Sequence, residues 1–482
     1  MAENSIVFYF PENEMPFHFF EALQIFNNVC EMPKLCANAE EYRIDLIDSS
    51  GNVIRSEKIT AEIAACIAGG EGKNISDTNL LKRYLYKIMS SYTGYSSPWG
   101  CMTGVRPAKI VNVLKKQGLD NDGILLHFGS FYLMDEKKAR LAVNTADIQE
   151  KFLEEQRIHP ENIGFYIGIP FGPTRCLYCS FASNPISTYK KSIDTYLDLM
   201  EQELIATVEI VKNSGCKVES LYLGGGTPTS LDEKQFARYM KMITDNFDVS
   251  SLREFALEAG RPDSITEEKL KEAKSAGVNR ISVNPQTMND ATLKRIGRRH
   301  SSYDTEKAFY LTKKAGFANI NTDIIAGLPG ETYEDFIYTL EKIKEFNPDS
   351  LTVHTLSIKR AAELRLDMEN RKLLHGDEVG QMVAAASVLA ENLGMHPFYM
   401  YRQKNMLGNH ENVCYCRPGC ESPYNIHIME EDQSIVAVGA AGVSKRVAAD
   451  GSSIKRAFNV KGVEDYMLRM PEMIERKREL FL

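Results

Sequence analysis

In the stretch GIPFGPTRCLYCSFASN, residues 168–184, Cys176 and Cys179 stand three positions apart, directly after a run with strand character. Thiolates at that spacing on a tight loop can grip one metal ion or two corners of an iron–sulfur cluster. Half a zinc site and a redox pair are the other chemistries open to them.

Two further features carry chemistry. In LYLGGGTPTSL, Gly224, Gly225 and Gly226 leave a strand, and Thr227, Pro228 and Thr229 lead into a helix. Glycines let backbone N–H groups come close to a ligand, and a helix N-terminus favours an anionic group such as a carboxylate. A plain strand-to-helix turn does not need so many glycines, so the run reads as a ligand loop. Glu258, Gln286 and Asp323 fall at the ends of successive strand candidates, in ALEAGRPD, ISVNPQTM and INTDIIAGLPGE. Each alone would be a cap or a turn residue. Together they face one pocket mouth, where a carboxylate holds an amine or a ribose diol and an amide holds a polar edge.

The remaining cysteines are unevenly spaced. Cys30, Cys66, Cys101 and Cys216 are isolated and read as small buried hydrophobes. Cys414, Cys416 and Cys420, in NVCYCRPGCESPYN, could complete the first site, hold a cluster or zinc of their own, or merely flank a turn at Pro418 and Gly419.

What must position these residues is a regular rhythm that begins near Tyr166. Strands are expected at IGFYIGI, VESLYLG, EFALEA, RISVNP, NINTDIIAG and SLTVHTLSI, separated by amphipathic helical patterns that start at Asp, Ser or Thr. Successive βα units predict a parallel sheet wrapped by helices, with ligands at the C-terminal strand ends. The expected organisation is an N-terminal α+β domain over 1–157, a barrel over 158–365 and a C-terminal α+β extension over 366–482 that caps the substrate side. In the first of these, EYRIDLIDSSGNVIRSEKI predicts a hairpin.

With 482 residues, 43% hydrophobic and 25% charged, the chain is of ordinary globular composition, which excludes fibrous and low-complexity classes. A net charge of −8 disfavours a nucleic-acid partner and leaves room for a local pocket. Apolar windows such as SIVAVGAAGV fall short of the roughly 20 residues of a membrane span, and the N-terminus lacks a basic region and cleavage site, so a cytoplasmic location is expected.

The IPF strand end with CLYC, the GGGTPT loop, the Glu and Gln of later strands and DIIAGLPGE together resemble the radical S-adenosylmethionine (SAM) enzymes, and in detail the oxygen-independent coproporphyrinogen III oxidase family. EAGRPDSIT, NPQTMND, IGRRH, VHTLSIKRAAEL and SPWGCMTGVRPAKI resemble its coproporphyrinogen dehydrogenase branch, usually called HemZ. The resemblance implies a partial (β/α)6 barrel holding a [4Fe-4S] cluster on a C-x-x-x-C-x-x-C motif, with SAM on the fourth iron. Cleavage of SAM to a 5′-deoxyadenosyl radical would then remove hydrogen from a propionate of coproporphyrinogen III. Loss of CO2 leaves a vinyl, on the way to protoporphyrinogen IX and haem. An electron donor such as flavodoxin or ferredoxin is implied as partner.

By position, the resemblance makes Cys176 and Cys179 cluster ligands and sets Tyr166 beside the cluster. It assigns Gly225, Gly226 and Thr227 to the methionine moiety of SAM, Glu258 and Gln286 to its polar edges and ribose, Arg298 to its carboxylate, and Asp323 to the ribose. Arg360 and Arg402 are candidates to pair with propionates, against a reading as solvated surface charges. Aligned on IPF, however, the family's first cysteine falls at Gly172, which offers no donor. Either another cysteine completes the site, or the residue is a mistaken or engineered one, or the chain is a repurposed member. A repurposed member would bind haem or a porphyrin as carrier or sensor, with His354 and His410 as possible axial ligands.

Overall fold

A strand presents alternate residues to opposite faces, so a strand that is apolar at odd positions and polar at even ones must lie between a greasy layer and a polar space. The barrel strands are built this way. The computed structural model describes residues 24–26, 34–38, 43–47, 52–58, 75–179, 183–357, 376–403, 406–448 and 450–482.

The chain divides into two compact units. The first comprises residues 1–144, 375–380 and 402–411. It contains an antiparallel sheet of β1 (Lys34–Asn38), β2 (Arg43–Ile47) and β3 (Val53–Lys58), with Arg43 opposite Lys58, so the expected hairpin forms. Its helices include Ile75–Thr93, Pro107–Lys116 and Asn121–Ser130. Here a buried carboxylate is fully engaged: Glu411 accepts from the Trp99 indole at 2.7 Å and from Lys138.

The second unit comprises residues 145–374, 381–401 and 412–482. Its sheet strands are β4 (Asn162–Ile169), β7 (Lys217–Gly225), β8 (Glu254–Glu258), β9 (Arg280–Ser282), β10 (Ile320–Ala326) and β11 (Ser350–Thr355), parallel neighbours in that order. A short pair, β5 (Phe171–Gly172) and β6 (Asn184–Pro185), lies in the loop after β4. This is the expected partial (β/α)6 barrel. Strands from the last third of the chain continue the same sheet. On one edge β14 (Ser434–Val438) runs parallel beside β4 and is followed by β15 (Val443–Val447) and β16 (Ile454–Phe458). On the other, β13 (Asn412–Cys416) and then β12 (His396–Tyr401) pair antiparallel beyond β11.

Phe165, Ile167 and Ile169 of β4, Leu221 and Leu223 of β7 and Phe255 and Leu257 of β8 point outward. They form one buried cluster with Tyr196, Leu197, Met200 and Leu204 of the helix Ile193–Asn213. Each such side chain contributes about 1.5–3 kcal/mol through burial. The alternate residues Tyr166, Tyr222, Glu258 and Asp323 therefore face the barrel interior. Reciprocal capping boxes at Asp232, Ser301 and Thr332 fix where the outer helices begin. Among the described residues, no helix is long and apolar enough to cross a membrane.

The last helix, Val463–Phe481, is tied down by a buried charge. Glu203 accepts from Lys477 at 2.5 Å, from the Tyr466 hydroxyl at 2.5 Å and from Asn459 at 2.7 Å. Removing one partner of a buried pair leaves the other uncompensated, which costs about 3–5 kcal/mol. Lys477→Met should therefore lower unfolding stability in urea by that amount, and a loss below about 1 kcal/mol, the range of exposed pairs, would contradict the role.

Candidate active site

The mouth of the barrel is organised by a close crossing of two backbones. Where β4 ends, the Ile169 carbonyl accepts from Gly226 N–H and the Phe171 carbonyl accepts from Thr227 N–H, each at 2.7 Å. A Cβ at Gly225 would lie 2.6 Å from the Ile169 oxygen, and one at Gly226 only 2.3 Å from the Phe171 oxygen. Both glycines are thus demanded by the neighbouring strand. The sequence reading set a helix N-terminus directly after this loop, and that placement is corrected. The N–H groups of Gly226 and Thr227 are committed to Ile169 of β4 and Phe171 of β5, the turn after them is the short 3-10 segment Pro228–Ser230, and the next helix starts at Glu233 behind its own Asp232 cap.

The cysteine loop leaves from this crossing. Cys179 N–H donates to the Cys176 carbonyl at 3.0 Å, closing one turn with Cys176 buried and Cys179 half-buried. The turn is clamped from the far side: Leu177 N–H donates to Ile296 O at 3.1 Å, and the Thr174 hydroxyl donates to Gly297 O at 2.9 Å. Arg261, only 4% exposed, donates to Thr174 O and Oγ1 at 3.2 and 3.0 Å, while its other edge grips Asp263 bidentately. Arg298 spans the gap, donating to Asn284 O at 2.6 Å and to the Tyr178 hydroxyl at 3.4 Å. Sequence reasoning missed Arg261, Asp263, Tyr178 and Asn284. The signal available was the Gly-flanked arginine in GRPD, directly after Glu258.

The two carboxyls of the mouth are tuned in opposite directions. Glu258 is half-buried, and desolvation pushes its carboxyl up to about 7 even though it accepts from the Tyr222 hydroxyl at 2.5 Å. Asp323 is also half-buried, yet hydrogen bonds from His354, Asn321 and Thr352 overcome its desolvation and hold it below the ordinary carboxylate range. Asn284 and Asn321 each donate to it at 2.8 Å, and the His354 ring stands 3.7 Å away. Tyr166 stacks on Tyr222, with ring centres 6.3 Å apart and planes inclined by 17°. Gln286 is buried with φ at 69°, and its backbone bridges β9 to β10: its N–H donates to Asp323 O at 3.0 Å and its carbonyl accepts from Ile325 N–H at 2.9 Å. Tyr166, Glu258, Gln286, Arg298 and Asp323 thus all belong to the barrel mouth and interior.

Other candidates do not join them. Arg402 lies in the first unit, its guanidinium donating to Met102 O and Asn409 and stacked 5.0 Å over Trp99, so neither a solvated surface charge nor a barrel residue describes it. His410 belongs to that unit too, bonded to Gly376 O at 3.0 Å. Arg360, Cys30 and Cys66 lie outside the described residues. Cys101 is buried as expected, but the half-buried Cys216 accepts from Arg446 at 2.8 Å. The tail cysteines cannot complete the Cys176–Cys179 site. Cys416 pairs with Ser350 at the first residue of β11, about 17 Å down the strand from its mouth end, and Cys414 pairs with Thr352, about 10 Å down, where its thiol is occupied by the Thr352 hydroxyl at 3.1 Å.

Residues 166–343 match the family model described as the radical SAM superfamily. The oxygen-independent coproporphyrinogen-III oxidase-like protein HemZ of Bacillus subtilis (strain 168) is 38% identical over 82% of this chain and 79% of its own length. The chain belongs to this coproporphyrinogen oxidase-like family of radical SAM proteins. The heme chaperone HemW of the same organism is 33% identical over 56% of this chain and 67% of its own length. The solved coproporphyrinogen III oxidase HemN of Escherichia coli shares the fold, with a TM-score of 0.52 at 23% identity over 67% of this chain and 73% of its own.

Members of the superfamily bind a [4Fe-4S] cluster and SAM. The residues of this member fit two cluster corners and fail at the third. Gly172 is a buried β5 residue, and a Cβ there would lie 2.9 Å from Ser183 Oγ and 3.9 Å from Thr227 Oγ1. Among the described residues the remaining one of the three atoms nearest that position is the Thr174 carbonyl oxygen, and neither hydroxyls nor a carbonyl are good ligands for the irons.

Raised carboxyls make stability fall as the pH climbs. Glu258 and Glu331, both pushed up to about 7 by burial, bind protons more tightly folded than unfolded. Their contribution is present below the ordinary value of 4.5 and lost as the pH rises through about 7, by roughly 3 kcal/mol each. The urea midpoint should drop between pH 5 and 8, and Glu258→Gln with Glu331→Gln should flatten that drop; an equally steep profile in the double variant would refute the assignment.

Proposed function

We propose that this protein binds SAM at the barrel mouth, in a site built for the oxygen-independent oxidative decarboxylation of coproporphyrinogen III propionates to vinyls, a reaction that requires the cluster ligand missing at Gly172. The observation that carries the reading is the convergence of one buried cation and two differently tuned carboxyls around the cysteine turn. Arg298, charged at every accessible pH, suits the carboxylate of SAM. Asp323, held anionic by its amide donors, suits the ribose hydroxyls. Glu258 accepts a cationic amino group once ionised, so SAM should bind more tightly as the pH rises through about 7. Tyr166 and Tyr222 wall the interior and keep water from the reacting groups. Gly225, Gly226 and Thr227 act in this reading through the crossing that seats the cysteine turn. A porphyrinogen as substrate and a flavodoxin or ferredoxin as electron donor belong to the same proposal.

No cluster-dependent step is assigned to the chain as it stands, because Gly172 supplies no donor. That gap favours a second reading, a haem or porphyrin carrier, which the similarity to a heme chaperone also supports.

Anaerobic reconstitution with iron and sulfide separates the two. Because Ser183 Oγ crowds the missing Cβ, the repaired chain should combine Gly172→Cys with Ser183→Ala. The expected result is SAM binding by the parent chain, weakened at least tenfold by Asp323→Asn, with a [4Fe-4S] resonance and CO2 release from coproporphyrinogen III in the repaired chain. A repaired chain that takes up the cluster but releases no CO2, together with a saturable haem absorption band in the parent, would establish the carrier instead.

A further inference from the structure

The end of the barrel away from the mouth carries a second set of metal-type donors, and they come from two chain segments. His396 opens β12 and Cys416 closes β13, and the antiparallel register sets them directly opposite each other. After Cys416 the chain turns through Arg417–Cys420, with Cys420 N–H bonded to Arg417 O at 3.0 Å, and returns Glu421 to the same spot. His396 Nε2 lies 3.1 Å from Glu421 Oε1 and 3.8 Å from Cys416 Sγ, and the three ligand atoms all fall within 4.8 Å of one another.

The two separations from His396 are close to what a small ion requires. Metal–ligand bonds of about 2.0–2.3 Å in a tetrahedron place neighbouring donors roughly 3.3–3.8 Å apart. The donor types are also selective. One thiolate, one imidazole and one carboxylate suit zinc-class transition metals and not magnesium or calcium, which prefer all-oxygen shells.

The geometry points to a divalent transition-metal site of the zinc class built from His396, Cys416 and Glu421, with the fourth position left to water. Cys416 and Glu421 are held by the fold, the first buried in β13 and the second anchored through Oε2 by Gly419 N–H at 3.0 Å. His396 is the more exposed of the His396–Glu421 pair, with 24% of its side chain accessible against 5% for Glu421. A cleft of about 450 Å³, lined by Lys151, Arg253, Arg280 and Cys420 among others, borders the site at Glu421.

Two cations stand nearby and must be accommodated. Lys151 Nζ is 3.2 Å from Glu421 Oε1, but its side chain is 59% exposed and can swing into water when an ion takes the carboxylate. Arg280 is committed elsewhere, donating to Asn319 Oδ1, Ser350 Oγ and the Cys420 carbonyl, with Glu254 at 3.9 Å. Bound metal would staple the β12–β13 hairpin to the turn that leads into the helix Pro423–Glu430. This inference is independent of the reaction proposed for the mouth.

Cobalt(II) titration of the full chain tests it, in a Cys176→Ser, Cys179→Ser background so that the cysteine turn cannot take the ion. The expected result is one equivalent bound with a near-ultraviolet thiolate-to-cobalt band. Cys416→Ser should abolish that band, and His396→Ala and Glu421→Gln should each weaken binding by about tenfold or more. Circular dichroism confirms that each variant is folded, and the more exposed His396→Ala keeps the test valid if Cys416→Ser is not. Absence of a thiolate band, or a band that survives Cys416→Ser or an affinity unmoved by His396→Ala, overturns the site.

Discussion

The approach of two backbones at the barrel mouth, Gly225 and Gly226 against Ile169 and Phe171, is the constraint on which the rest of the site depends. Carbonyl oxygens at 2.3–2.6 Å from the would-be Cβ positions leave no room for any side chain, so the chain must be glycine at both positions. The hydrogen bonds formed there fix the direction in which β4 hands over to the cysteine loop. With that loop seated, Arg261 and the segment 296–297 can close on it from the other side. A shift of the crossing would move the thiols, Arg298 and Glu258 together.

Inside the barrel the chemistry follows from unequal compensation of equal burial. Glu258 and Asp323 are both partly withdrawn from water, but Glu258 has chiefly one hydroxyl donor whereas Asp323 has two amides and a histidine. Desolvation therefore wins at Glu258 and hydrogen bonding wins at Asp323. A polar interior of this kind persists because an apolar layer of outward-facing strand residues and helices surrounds it. The outer layer supplies the stability that lets the inner one keep ionisable groups away from solvent.

The last third of the chain decides where the remaining cysteines go. Because β13 runs antiparallel to β11, its final residues sit at the start of the barrel strands. Cys416 and the turn after it are thereby removed from the mouth and brought beside His396. One sheet thus separates two sets of soft donors by its own length, one at each end.

Much of this was legible in the residues. The alternation in IGFYIGI and VESLYLG specified strands, the capping boxes specified helix starts, and the spacing of βα units specified a parallel barrel, because these signals are local and repeat with the period of the element. The strand-end positions of Glu258, Gln286 and Asp323 follow from the same register, and the lack of a donor at Gly172 is visible in the sequence itself. Tertiary structure alone showed that the glycines answer to a neighbouring strand, that Arg261 clamps the cysteine turn, that β14 inserts beside β4, and that His396 meets Cys416 and Glu421. Each of these joins residues far apart in the chain. Their distances depend on strand order and direction, which local periodicity does not encode.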